Sequence, residues 1–371
     1  MRRIKYVHEQ PGWPEFRWDA GVLAAPLAAA RHRQGRLIGR LEGLGVALRA
    51  EATLETLTQD VIKSSEIEGA LLDRDQVHSS IARRLGMDIG ALTAADREVE
   101  GVVEMMLDAT QKYDRPLTAR RLFAWHAALF PTGRSGMTPI TVGAWRDDGR
   151  GPLQVVSGPV GRERVHFVAP AAKRLAVEMR GFLAWFNRNA ELDPVLKAGL
   201  AHLWFVTVHP FDDGNCRIAR AIADMALARA DGTAQRFFSM SAQIRLERKA
   251  YYDALERTQR GTLDVTPWLE WFVACLHRTV DGADHTLASV LRKARFRERH
   301  AEAALNDRQR TILNRLLNGF EGKLTSSKWA KLARCSQDTA HRDIQDLVGR
   351  GILIKEAAGG RSTSYALSET A

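Results

Sequence analysis

The chain is predicted to be mostly α-helical, with one hairpin region set among the helices and a separate basic domain at its C-terminal end. Three observations carry this. Apolar residues recur at helical spacing through most of the 371 residues. The rhythm breaks between Pro131 and Pro170, where seven glycines and scattered valines mark loops and short strands. From Leu291 to Ala371 there are 16 Lys/Arg against 9 Asp/Glu, so +7 of the net charge of +10 sits in the last fifth of the chain. That asymmetry points to an anionic partner there.

Composition excludes several classes. Hydrophobic residues at 45% and charged residues at 26% are those of an ordinary soluble protein. No run approaches 18 uninterrupted apolar residues, so no membrane contact is expected. The basic opening Met1-Arg2-Arg3-Ile4-Lys5-Tyr6 is not followed by a long apolar run, so no signal peptide is expected either. Cys216, Cys275 and Cys335 are too few and too scattered for a disulfide framework or a zinc site, which fits a reducing cytoplasm.

The elements follow in order. Tyr6–Trp18 is aromatic and Pro-rich and reads as an extended segment or turn packed by Trp13, Phe16 and Trp18. Ala and Leu then dominate from Gly21 to about Ala50, one helix. A second helix runs from about Ala52, with Leu54, Leu57, Val61 and Ile62, and stops at Gly69. It ends in Ser64-Ser65-Glu66-Ile67-Glu68, where Ser64 and Glu68 lie four apart on one face. Gln76–Leu85 is helical and Gly86–Ala94 a looser link. Glu98–Lys112 and Ala119–Phe130 are amphipathic helices, with His126 read as structural. Leu153–Val156 and Arg164–Val168 flank a turn and form a hairpin. Ala171–Asn187 is helical, and Asp193-Pro194 starts a long apolar helix. Phe237–Gln243 is a link, Arg245–Arg260 a helix, and Trp268, Trp271, Phe272 and Leu276 mark another. In the tail, Asn306–Leu317, Thr325–Ala333 and Ser336–Arg350 are helices. Two strands, Gly351–Lys355 and Ser364–Leu367, then flank a Gly359-Gly360 turn.

The long apolar helix runs into His209-Pro-Phe-Asp-Asp-Gly-Asn-Cys-Arg-Ile-Ala-Arg220, and helical spacing restarts at Ile218. Unpaired N–H groups and the positive dipole end at a helix start suit phosphate. Arg217 and Arg220 add fixed charge three residues apart on one face. A carboxylate beside such a pocket is placed to hold Mg2+ through a nucleotide's phosphates, and an imidazole can take a proton near neutral pH. A thiol at a helix N-terminus, Cys216, is expected to ionise easily.

This stretch resembles the signature of the Fic family, H-x-F-x-(D/E)-G-N-(G/K)-R-x-x-R, departing at Cys216, where Gly or Lys is usual. Known members mostly transfer AMP from ATP to a hydroxyl side chain of a target protein. The resemblance implies a Fic-fold helical core with a β-hairpin flap. It makes His209 the general base, Asp213 the Mg2+ ligand and Gly214, Asn215, Cys216 and Arg217 the phosphate loop, with Arg220 on the terminal phosphate. Val156, Ser157, Gly158 and Pro159 of the flap are expected nearest the nucleotide, and the flap edge to align a target peptide. Tyr251, Tyr252 and Gln259 resemble the family's base-side residues. Ser64–Gly69 is similar to the family's inhibitory motif (S/T)-x-x-x-E-(G/N), with Glu68 pairing with Arg220. In some members that Glu helps remove AMP instead.

The tail resembles a winged helix-turn-helix, for which DNA is the favoured partner over a protein-docking role. The expected organisation is 1–95 as an N-terminal helical domain, 96–285 as the catalytic core and 300–371 as the winged helix, with a homodimer left open. A Fic transferase using another phosphate-bearing donor, or a DNA-binding regulator with a degenerate core, are the rival readings.

Overall fold

The structure is a computed structural model. It describes residues 6–89, 93–149, 151–159, 161–188, 191–300, 303–317, 320, 322–356 and 363–368. The expected Gly359-Gly360 turn, most of the Met1–Tyr6 opening and part of the Gly86–Ala94 link lie outside them. The chain divides into two compact units, Met1–Ala288 and Ser289–Ala371.

Helices dominate the first unit: α1 (Ala20–Glu42), α2 (Val46–Ile67), α3 (Arg74–Arg84), α4 (Arg97–Gln111) and α5 (Ala119–Leu129). Two antiparallel hairpins follow, β1 (Arg134–Ser135) with β2 (Thr138–Pro139) and β3 (Gln154–Ser157) with β4 (Arg164–Val168). Then come α6 (Leu175–Asn187), α7 (Pro194–Val208), α8 (Asn215–Asp231), α9 (Met240–Leu246), α10 (Arg248–Gln259) and α11 (Thr266–Arg299), whose residues from Ser289 onward belong to the second unit.

The mostly α-helical class is as the periodicity predicts, but two boundaries differ. The break between the first two helices falls at Gly43-Leu44-Gly45 rather than near residue 51. Two glycines at helix ends outweigh a continuous Ala/Leu pattern that has no apolar reason to stop there. The expected link Phe237–Gln243 already contains α9, because the Ser239 hydroxyl accepts the Ala242 N–H at 3.0 Å and caps a helix. The β1–β2 hairpin was not expected; two residues per strand are too few to show an alternation.

The core is built around α7, which is apolar on most of its surface and buried from Val195 through Val208 except at Lys197. It packs along α8. Gly199 lets α11 approach α7 closely, and its carbonyl accepts the Trp268 indole N–H at 2.8 Å. Asp193 accepts two N–H groups at the start of α7, with Pro194 in the first turn. The flap hairpin pairs Gln154 with Val168 and Ser157 with Arg164, and a bulge lies between Val155 and Val156. Inside the unit α2 packs on α9 and touches α8, which brings the N-terminal helices against the motif.

The second unit contains α12 (Asp307–Leu317), β5 (Leu324–Thr325), α13 (Ser326–Ala333), α14 (Gln337–Gly349), β6 (Leu353–Lys355) and β7 (Ser364–Leu367). Trp329, Ile344, Leu347 and Ile312 are central to its core. The strands form one sheet in the order β5-β7-β6. Between α13 and α14 the chain turns at Arg334, in the left-handed region at φ 49°.

Close helix packing yields a direct test. A Cβ on Gly101 of α4 would lie 1.8 Å from the Ala128 carbonyl oxygen of α5, a contact that only movement of backbone can relieve. Gly101→Ala is expected to lower stability by about 1–3 kcal/mol in urea unfolding, despite the better helix propensity of alanine. A midpoint equal to wild type would show that α4 and α5 are not this close.

Candidate active site

Helix α7 ends at Val208, and His209 turns the chain in the left-handed conformation, φ 51° and ψ 60°. A side chain with a Cβ sits there at a cost, and neighbouring bonds must hold it. Its N–H bonds the Phe205 carbonyl at 2.9 Å. Its own carbonyl accepts Arg146 Nε at 2.8 Å, while the Arg146 N–H reaches the Pro210 carbonyl at 3.0 Å. The His209 Nδ1–H donates to the Val206 carbonyl at 3.1 Å, which leaves Nε2 as the lone-pair nitrogen. Burial pulls the imidazole down to about 4, so at neutral pH it can accept a proton.

Beyond the turn, Asn215 clamps the loop. Its Oδ1 accepts the Phe211 N–H at 3.0 Å and its Nδ2 donates to the Phe211 carbonyl at 2.7 Å. Gly214 has φ +78°, and a Cβ there would meet the Phe130 ring at 2.9 Å. Glycine is required on both counts. Helix α8 therefore starts where the sequence places the phosphate loop.

On the next turn of α8, Arg220 is spent entirely on α2. Its Nε donates to Ser64 Oγ at 2.9 Å, its Nη2 to the Ser64 carbonyl at 2.8 Å and its Nη1 to Glu68 Oε1 at 2.8 Å. Burial opposes the charge of Arg220, yet its neighbours, Glu68 foremost, lift its pKa above the ordinary value. The Tyr252 hydroxyl also reaches Glu68, at 3.4 Å.

A cavity of about 500 Å³ opens beside this cluster. The sequence-predicted residues lining it are His209, Asp213, Gly214, Asn215, Cys216, Glu68, Val156, Ser157, Tyr252 and Gln259. Other predicted residues stand outside its wall. Ser64 and Arg220 are buried behind Glu68, and Arg217 lies with its guanidinium 5.1 Å from the Phe130 ring centre. Gly158 and Pro159 belong to the hairpin turn beyond Ser157. Tyr251 is fully buried, with its hydroxyl 2.9 Å from His202 Nε2. Neighbouring residues on a helix point about 100° apart, so Tyr252 faces the cavity and Tyr251 faces the core. The easily ionised thiol expected at Cys216 is overturned: burial, then the Glu68 carboxylate, pushes it up to about 12. His126 is structural, as read: it is buried and stacks on Phe211 with ring centres 4.2 Å apart.

The profile of the Fic/DOC family matches residues 116–227. Residues 116–227 are a Fic/DOC domain. A second profile, a domain of unknown function (DUF4172), matches residues 6–87, the segment that carries α2. The chain is 27% identical over 240 residues to the protein adenylyltransferase Fic of Drosophila mojavensis, covering 63% of this chain and 42% of that one. It is 28% identical over 239 residues to its counterpart in Drosophila willistoni, covering 63% and 43%. The chain thus spans less than half the length of these curated relatives. Among solved structures it is similar to a Fic family protein of Desulfovibrio desulfuricans G20, at 20% identity and a TM-score of 0.54 over 98% of this chain and 99% of that one. A Fic domain containing signaling protein of Bacteroides thetaiotaomicron VPI-5482 gives 20% identity and 0.51 over 70% and 98%. These likenesses show the fold. No helix among the described residues is long and apolar enough to cross a membrane.

Several residues around the Fic loop were given no role in the site from sequence. Arg146 holds the His209 carbonyl. The Ser135 hydroxyl donates to Asp213 Oδ2, and the Thr141 N–H donates to Asp212 Oδ2 at 2.8 Å. His166 and Glu256 line the cavity opposite the loop. Asp213 can serve a divalent cation. Among the described residues no three His, Cys, Asp or Glu side chains gather as a metal site. One oriented carboxylate completed by substrate phosphates and water is what Mg2+ tolerates and most other metals do not favour.

Three imidazoles of the unit are held neutral by burial: His209 and His126 at about 4 and His202 at about 3, against an ordinary value of 6.5. In each case the unfolded chain binds a proton that the folded chain refuses. Their stabilising effect is therefore full above 6.5 and is lost as pH falls toward 4. The unfolding midpoint is expected to drop steadily across that window, and less steeply in His209→Asn. A wild-type midpoint that stays level from 6.5 to 4 would contradict the buried neutral state.

Proposed function

We propose that this chain is a protein adenylyltransferase, moving AMP from ATP to a Ser, Thr or Tyr hydroxyl of a target protein, and that Glu68 restrains it. The observation that carries this reading is the engagement of Arg220 by Ser64 and Glu68 at the edge of a cavity that also holds His209 and the start of α8. His209 Nε2, freed by the Nδ1 bond to Val206, takes the hydroxyl proton. The oxygen attacks the α-phosphate and pyrophosphate leaves. The N–H groups at the start of α8 and the charges of Arg217 and Arg220 offset the growing negative charge. Mg2+ at Asp213 would neutralise phosphate charge.

Glu68 acts by occupation. An arginine already paired cannot hold a terminal phosphate, and phosphoryl transfer depends on that positioning. With ATP labelled at the α-phosphate, Glu68→Gly is expected to label targets in a lysate at least about tenfold faster than wild type. Glu68→Gly/His209→Ala should label none. Equal labelling by wild type and Glu68→Gly removes the restraint. Label carried only from a donor other than ATP moves the reading to another phosphate-bearing group, and loss of AMP from a labelled target identifies removal.

We infer a second role for the C-terminal unit, that of a DNA-binding winged helix. The α13–turn–α14 pair leaves Arg334, His341 and Arg342 exposed at the turn and along α14, in a segment rich in positive charge. Alanine at Arg334 and Arg342 should weaken gel-shift affinity and lower the slope of log affinity against log salt by about one per residue. Unchanged affinity and slope would leave protein docking as the role of this unit, and an active core without DNA binding would exclude the regulator.

A further inference from the structure

A second cavity, of about 480 Å³, lies at the far end of α7 and α8 from the His209 loop. It is walled by the α4–α5 link, the end of α6, the start of α7 and the end of α8. Helix α8 runs from Asn215 to Asp231, so the residues it lends to the two cavities lie roughly 20 Å apart.

Two cations face this space. The Arg229 guanidinium lies 4.6 Å over the Phe186 ring, and Lys197 Nζ lies 5.9 Å from the same ring and 5.7 Å from that of Trp185. Arg229 donates Nε to the Tyr113 carbonyl at 2.6 Å, Nη2 to the Arg115 carbonyl at 2.8 Å and Nη1 to the Phe186 carbonyl at 3.4 Å. Lys197 Nζ donates to the Arg188 carbonyl at 2.7 Å and has further N–H groups to give. Carbonyls satisfy donors but leave the positive charges uncompensated. Asp114 is the one carboxylate of the wall among the described residues, and it forms an ion pair with neither cation.

Other enclosed arginines of this unit are treated differently. Arg121 bonds Asp108, Arg146 bonds Asp148, Arg220 bonds Glu68 and Arg236 bonds Asp231. Burial, then the charge of Arg121, pulls Arg229 down to about 10 although Asp114 opposes the shift. Burial, then the charges of Arg229 and Arg188, lowers Lys197 as well. An anion seated between Lys197 and Arg229 relieves both.

We propose that this cavity binds a small organic phosphate, with its anionic group on Lys197 and Arg229. A phosphate group carries close to two negative charges and three acceptor oxygens, enough to meet both cations, whereas one carboxylate offsets only one. The cavity exceeds what a phosphate group alone fills, and Pro116, Leu192, Pro194 and Ala226 give the rest of the ligand an apolar wall. The site stands apart from the His209 cavity, so it does not rest on the function proposed above.

Lysine acetylation under limiting acetic anhydride tests this on the intact chain, with phenyl phosphate, inorganic phosphate and benzoate as probes. Lys197 is the only lysine between Asn189 and Arg217, so its labelling is read from one tryptic peptide. Phenyl phosphate is expected to slow acetylation of Lys197 at least fivefold and to leave exposed Lys173 unchanged. Inorganic phosphate should protect more weakly and benzoate least. By calorimetry Lys197→Gln should bind phenyl phosphate at least about tenfold more weakly than wild type, with Lys197→Arg restoring most of the affinity. Unfolding midpoints establish that each variant is folded. Unprotected Lys197, or equal affinity in Lys197→Gln, overturns the site. Protection by benzoate equal to that by phenyl phosphate overturns phosphate as its ligand class.

Discussion

A guanidinium group buried between two helices sets most of the constraints on the first unit. The Arg220 side chain is 1% exposed, and a charge so placed is tolerable only if each donor edge is met. Ser64 meets two edges and Glu68 a third, from positions more than 150 residues away in the chain. The pairing therefore fixes the rotation of α2 against α8. One turn earlier on α2 and one turn later on α8 lies a second polar contact. Asp60 of α2 accepts the Ser239 hydroxyl at 2.5 Å and the Ser241 N–H at 3.2 Å, and it faces Asp224 of α8. Burial and the Asp60 carboxylate raise the pKa of Asp224 well above the ordinary value, so Asp224 holds its proton more readily. Arg236 stands 3.8 Å from Asp224 and bonds Asp231 at 2.9 Å, adding positive charge to the same seam. A seam of such specific polar contacts tolerates little slippage, because a one-residue rotation would strand every member.

The loop on the other side of α8 depends on a different constraint, the left-handed turn at His209. That conformation ends α7 and swings the imidazole toward the cavity at once, with no residues between the helix and the base. It is strained, and Arg146 is what balances the strain. The side chain of Arg146 is fully enclosed, and it spends Nε on the His209 carbonyl, Nη1 on Asp148 at 2.9 Å and Nη2 on the Pro170 carbonyl at 2.5 Å. The start of the flap region is thereby tied to the His209 turn. Flap and loop are one assembly in this sense, although about sixty residues separate their anchors.

What could be read from sequence follows from how far apart the contacts lie. The signature loop is contiguous, so its helix–turn–helix form and most of its cavity-lining residues were legible. Ser64 and Glu68 were legible because a four-residue spacing puts them on one face, although only a family resemblance named their partner. The roles of Arg146, Ser135 and the His166–Glu256 pair were not, since each meets its partner across 63 to 90 residues. Tyr251 was assigned with Tyr252 because adjacency in sequence hides the turn of the helix between them. The expected reactive Cys216 failed for a related reason: position at a helix start was visible, whereas burial beside a carboxylate was not. Helix existence was clear throughout, while the Gly43–Gly45 break and the short α9 were decided by capping that composition does not show.

The two residues that hold Arg220 do so from places of unequal stability, and this bears on how the proposed restraint is released. Ser64 is buried within α2, one turn before its end, and cannot let go without moving the helix. Glu68 is the C-terminal cap of α2, followed by Gly69 in the left-handed region, and its side chain is 28% exposed. Its carboxylate can swing to water by rotation about its own bonds, a motion on the scale of side-chain flips rather than of helix displacement. Arg220 would then keep both of its bonds to Ser64 and stay aimed, with one edge of its guanidinium open at Nη1. Ser64 positions the arginine and Glu68 occupies it. Under the proposed function a phosphate arriving at the cavity would compete with one partly exposed carboxylate, not with the packing of α2, and the site would be assembled before the competition is decided.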